Sequence, residues 1–105
     1  MALELFITRK SRRNLDEAAK RDFEEKLAHH ASRARFRVIW DWSQDGRILY
    51  VRTTMIRWEV HFGGEEPDHL TLYADVPVYI SNFFSQEKQV RFKDEVEKKL
   101  NELGF

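Results

Sequence analysis

Between Phe36 and Val76 the chain repeats one pattern four times, an apolar side chain at every second position. Phe36, Val38, Trp40 and Trp42 alternate with Arg37, Ile39 and Asp41. Over Arg47–Thr54, Leu49 and Val51 stand opposite Ile48, Tyr50 and Arg52. Ile56, Trp58, Val60 and Phe62 alternate with Arg57, Glu59 and His61, and Leu70, Leu72, Ala74 and Val76 with Thr71, Tyr73 and Asp75. Successive side chains of a strand point to opposite faces, so a period of two sends one set to a core and the other to water. A parallel sheet covered on both faces would read as continuous apolar runs instead. The pattern therefore predicts an antiparallel sheet with one wet face. Gln44-Asp45-Gly46 joins the first two runs as a hairpin turn, because Asp-Gly accepts the positive φ that tight hairpins need. The polar loop Gly63–Asp68 separates the last two runs. Pro77 ends the fourth, since it has no N–H to give to a ladder.

A sheet with one apolar face needs a cover, and two amphipathic segments supply it. Leu15, Ala19, Phe23, Leu27 and Ala31 recur every fourth residue, with Ala18 beside them, which predicts a helix over about Leu15–Ser32. Asn14 and Glu17 have the spacing of a capping box, and the acid-first pairs Asp16–Lys20, Glu17–Arg21 and Asp22–Lys26 suit the exposed side. A second helix is expected over about Gln86–Leu103, capped by Ser85. Phe92, Val96, Leu100 and Leu103 are on its packed face, and Gly104 stands where a left-handed residue ends a helix. Leu3–Thr8 reads as a further strand with Leu3, Leu5 and Ile7 on one face. The order is β-α-β-β-β-β-α. It predicts an α+β fold, a five-stranded antiparallel-rich sheet with two helices packed on one face, as a single domain over residues 1–105. The first strand is expected to pair with a non-neighbour; the pattern leaves its place in the sheet open.

Composition narrows the function classes. Eighteen basic residues balance eighteen acidic ones, for a formal net charge of zero. Proteins that neutralise phosphates carry a basic excess, so nucleic acid is not the expected partner. The absence of cysteine excludes disulfides and thiolate metal sites. No apolar stretch approaches the ~20 residues of a membrane-spanning helix, and the short apolar start precedes its basic residues, the reverse of a signal peptide. A cytoplasmic protein is expected.

The residues that could carry chemistry are scattered. His29 and His30 are adjacent on a helix and point about 100° apart, so they do not grip one metal together. Glu25 shares a face with His29, but a two-ligand helical site needs further ligands. His61 and His69 belong on or beside strands, and Glu59, Asp75, Arg57, Arg37 and His61 read as a charge lattice on the wet sheet face. The serines lack a nucleophile-elbow context, and Gly63-Gly64 is followed by acids that would repel a phosphate. No catalytic residue, metal or cofactor is expected, and the domain reads as non-enzymatic.

Two apolar features are the candidate binding sites. Tyr79, Ile80, Phe83 and Phe84 fall in a connector too apolar for an ordinary loop. They read as a docking surface for a protein or an apolar particle. The alternative is a small apolar ligand carrier, with a pocket between the C-terminal helix and the concave sheet lined by Trp40, Trp58 and Leu100. Neither reading fixes an oligomeric state.

The same elements carry a resemblance. A short strand with a basic end (Leu5-Phe6-Ile7-Thr8-Arg9) is followed by a helix starting Asn14-Leu15-Asp16-Glu17-Ala18. After the strands come Asp75-Val76-Pro77 and the charged helix Phe92-Lys93-Asp94-Glu95-Val96-Glu97-Lys98-Lys99-Leu100. In this order the chain resembles the polyhydroxyalkanoic acid system family, small bacterial proteins named for genes near polyester-granule loci. It departs by a longer aromatic connector, Tyr79 to Ser85, and by its Trp-rich second strand. The resemblance implies a cytoplasmic bacterial accessory protein associated with storage granules, and carries over no catalytic residue.

Overall fold

The alternating runs become neighbouring strands of one sheet. The computed structural model describes residues 3–54, 56–64, 66–75 and 86–105. Its strands are β1 (Glu4–Lys10), β2 (Ile39–Trp42), β3 (Ile48–Arg52), β4 (Arg57–Phe62) and β5 (His69–Asp75), and its helices α1 (Glu17–Arg33) and α2 (Gln86–Glu102). The strand order is β1-β5-β4-β3-β2 and every pair is antiparallel. Consecutive strands β2 to β5 form a meander, and β1 closes it by pairing with β5, the non-neighbour that the sequence left unnamed. Helix α1 carries the chain from the edge strand β1 to the opposite edge strand β2, and so it has to cross the apolar face.

Register keeps the apolar set together. Trp58 pairs with Val51 and Ala74, Val60 with Leu49 and Leu72, and Phe62 with Leu70. Apart from the partly buried Trp58, these rows are buried under the helices with Ile7, Ala19, Leu100 and Phe105, while Arg57, Glu59 and His61 face away. β1 departs from the simple alternation. Its register shifts between Leu5, opposite Tyr73, and Ile7, opposite Leu72. This bulge sets two residues against one and turns Phe6 inward beside Trp58, with ring centroids 5.1 Å apart. Leu5, expected on the buried face, is instead 58% exposed. β2 is also shorter than its run of alternation: Phe36 lies before the strand and is largely exposed.

The helix ends differ from the expected caps at one end and match at the other. Asp16, not Asn14, is the N-cap of α1, and its Oδ1 accepts from the Ala19 N–H at 2.9 Å. Asp16 stands in the same three-residue relation to Ala19 that the capping box assigned to Asn14 and Glu17, so the helix starts two residues later. Ser85, the expected cap of α2, lies outside the described residues. At the other end of α2, Gly104 adopts φ +87°. Phe105 N–H then donates to the Leu100 carbonyl (2.9 Å) and Gly104 N–H to that of Asn101 (3.0 Å), a Schellman closure. The closure folds Phe105 back into the core against Phe23 and Phe62.

The ion pairs of α1 are mostly tertiary. Asp22 accepts from Arg13 at 2.9 Å and Lys26 reaches Glu102 of α2 at 3.6 Å, where intrahelical i,i+4 pairing was expected; Lys20 pairs with Glu17 at 3.2 Å. Arg13 also donates to the Leu103 carbonyl at 3.0 Å, so a single guanidinium ties the start of α1 to the end of α2.

Candidate functional site

The two helices share the apolar face without filling it. α1 lies over the β2 side: Trp40 and Trp42 of β2 both donate their indole N–H to Glu24 Oε2, at 3.0 and 3.2 Å. α2 lies over the β1 side, with Phe92 stacked near Phe6 and Trp58 and Asn101 accepting from Arg9 at 2.6 Å. Between them runs a groove of about 590 Å³. Its floor is Val51 of β3, Trp58 and Val60 of β4, and Leu72 of β5. Leu27 and Ala31 of α1 form one wall, Val96 and Leu100 of α2 the other. Phe36 and Phe92 stand at its lip, 55% and 42% exposed. Helical and strand periodicity together make this surface apolar: every floor and wall residue belongs to the inward set of its own element.

The groove's polar members sit on its helical rim. Lys26, His30 and Arg33 follow one another at spacings of four and three along α1, so they share a flank, and Lys99 faces them from α2. Lys26 is engaged by Glu102; no ion pair involves Arg33 or Lys99 among the described residues. His30 stands among these cations. Its pKa is held below the ordinary histidine value by partial burial and then by the positive charges of Lys99, Lys26, His29 and Arg33. The remaining polar group, Thr53, is tied to the turn after β3, where its hydroxyl donates to the Ile56 carbonyl (3.1 Å) and accepts from the Ile56 N–H (2.9 Å).

Of the pocket residues expected from sequence, Trp58 and Leu100 line this groove. Trp40 does not. It belongs to the apolar face, but at the β2 edge beneath α1, and its indole is committed to Glu24. Tyr79, Ile80, Phe83 and Phe84, the expected docking surface, lie outside the described residues. The basic rim went unread in the sequence, although the Lys26, His30, Arg33 spacing of four and three was a legible signal on a helix whose apolar stripe had been assigned.

No family model, curated protein or solved structure matches the chain.

The other surfaces offer less. On the wet face, Glu59 and His61 lie 3.0 Å apart, His61 meets the Tyr73 ring edge-on at 4.9 Å, and Arg57 reaches Asp75 at 3.3 Å. The expected lattice therefore reduces to two separate pairs, Glu59–His61 and Arg57–Asp75, with two further changes. Arg37 lies outside the strands, and Asp75 is buried, 7% exposed. In the β4–β5 loop Glu66, Asp68 and His69 bring one ligand atom each within 4.8 Å of one another. His69 is already hydrogen-bonded to Asp68 at 2.9 Å, and that bond, helped by Lys10, holds the Asp68 carboxyl below its usual range. Glu66 and Asp68 are exposed, as acidic loop residues generally are. Among the described residues no helix is long and apolar enough to cross a membrane.

Proposed function

We propose that this domain is a non-enzymatic binding module that holds a small apolar ligand in the groove between α2, α1 and the sheet. The observation that carries the reading is the groove itself: about 590 Å³ of apolar concavity, with the rings of Phe36 and Phe92 left to water at its lip. Small-molecule sites are concave, mainly apolar and about 300–1,000 Å³ in volume. A domain of this size gains stability by burying such surface, so the apolar surface that the described residues leave exposed at the mouth of this trough is available to a ligand. The reading as a binder and not a catalyst is supported by the placement of ionisable groups. Those of the groove, Lys26, His30, Arg33 and Lys99, stand on the rim, and no described carboxylate or nucleophile lines its floor. Association with polyhydroxyalkanoate granules in a bacterial cytoplasm is the cellular setting that the sequence resemblance suggests for this binding.

The test is uptake of N-phenyl-1-naphthylamine, an uncharged apolar fluorophore. The wild-type chain should bind it saturably at one site with a blue-shifted emission. Ala31→Phe places a ring in the groove from the α1 wall and should weaken binding about tenfold or more while leaving the unfolding midpoint nearly unchanged. Equal binding by both proteins, or no saturable binding by either, overturns the proposal.

A further inference from the structure

The groove has an electrostatic polarity that an uncharged ligand would not use. The chain as a whole has zero formal net charge, yet Lys26, His30, Arg33 and Lys99 gather at one rim of an otherwise apolar trough. Two helices contribute to the cluster, so it is not the solvated face of one. Among the described residues only Lys26 has a carboxylate partner there, Glu102. Like charges brought together without counterions are unfavourable, and the field they create would favour an anion at that point. Arg33 supplies a planar fork suited to a carboxylate, Lys99 a point charge on a flexible stem facing it.

Resting on the proposal that the groove binds an apolar ligand, we infer that its ligand is a single-chain fatty carboxylate. The alkyl chain lies along Val51, Trp58, Val60 and Leu72, and the head group sits between Arg33, His30 and Lys99. The lowered His30 pKa, set first by partial burial and then by the positive charges of Lys99, Lys26, His29 and Arg33, accords with this arrangement. An anion seated there would relieve the repulsion among Lys26, Arg33 and Lys99 while its chain filled the apolar groove. Each half of such a molecule meets the matching half of the groove.

The experiment compares dodecanoate with dodecanol, equal in chain length and different in charge, by calorimetric titration at pH 7.5 and low salt. Dodecanoate should bind about tenfold more tightly or better, since charge-assisted hydrogen bonds are roughly twice as strong as neutral ones. The Arg33→Gln/Lys99→Gln double variant should lose that preference and keep its affinity for dodecanol. Added salt should weaken dodecanoate binding to the wild-type chain alone, which tests the same point without a substitution. If dodecanol binds as tightly as dodecanoate, and neither salt nor the variant matters, the head-group assignment is wrong while the apolar groove stands. If neither compound binds, both readings fall. A dimer in sedimentation that binds neither would assign the groove to contact between copies of the chain, which also overturns the inference.

Discussion

Phe105→Ala tests whether the turn at the end of α2 is part of the core. The Phe105 ring is fully buried, with centroid distances of 6.1 Å to Phe23 and 6.3 Å to Phe62 and the Arg13 guanidinium 5.5 Å above it. It contacts Phe62 of β4 and Phe23 of α1 together, and the Schellman closure at Gly104 holds it there. Truncating a buried phenylalanine to alanine costs about 3–5 kcal/mol, the lost transfer energy plus the cavity that remains. A domain of this length has roughly 5–15 kcal/mol of stability in all, so the variant should be left with a modest remainder. The melting temperature should fall by about 12 °C or more, taking roughly 4 °C per kcal/mol for a domain near this size. Urea unfolding followed by circular dichroism and tryptophan fluorescence measures the change. Phe92→Ala is the internal control: at 42% exposure it should lose about half as much. The packing argument is refuted if Phe105→Ala shifts stability by less than about 1 kcal/mol, or by no more than Phe92→Ala.

Three further substitutions probe features that local pattern left open or misplaced. Asp16→Ala should destabilise by about 1 kcal/mol and Asn14→Ala by less than about 0.5 kcal/mol, by urea midpoint, because Asp16 alone caps α1. Glu24→Ala should cost about 1–3 kcal/mol and shift the tryptophan emission, since two indole N–H groups lose their acceptor at once. An unaltered spectrum would mean that the indoles do not depend on Glu24. Arg57→Ala should cost about 1–3 kcal/mol by leaving the Asp75 carboxylate buried without its cation, although half of Arg57 already faces water. A neutral result in thermal and urea unfolding would show that water replaces the guanidinium.

The period-two runs from Phe36 to Val76 and the fourfold stripe on α1 determined the strands, the faces and the presence of covering helices. Those choices are local: each side chain's direction follows from its own backbone period, and burial of the apolar set then selects the register. Gly104 was legible for the same reason, because a positive φ at a helix end is a property of one residue. Three features required the tertiary structure. The bulge at Phe6 depends on β5 and Trp58, which are distant in sequence, and it turned Leu5 outward against its own alternation. Asp16 displaced Asn14 as cap because the helix start depends on where the chain leaves β1 as well as on which side chains can cap. The groove is the third. Trp58 and Leu100 read as ordinary core residues in sequence, and whether a core position meets a packing partner or open space is set by the separation of α1 from α2. That separation is fixed by Lys26–Glu102, Arg13–Leu103 and the buried Phe105, contacts between chain segments that no local pattern brings together.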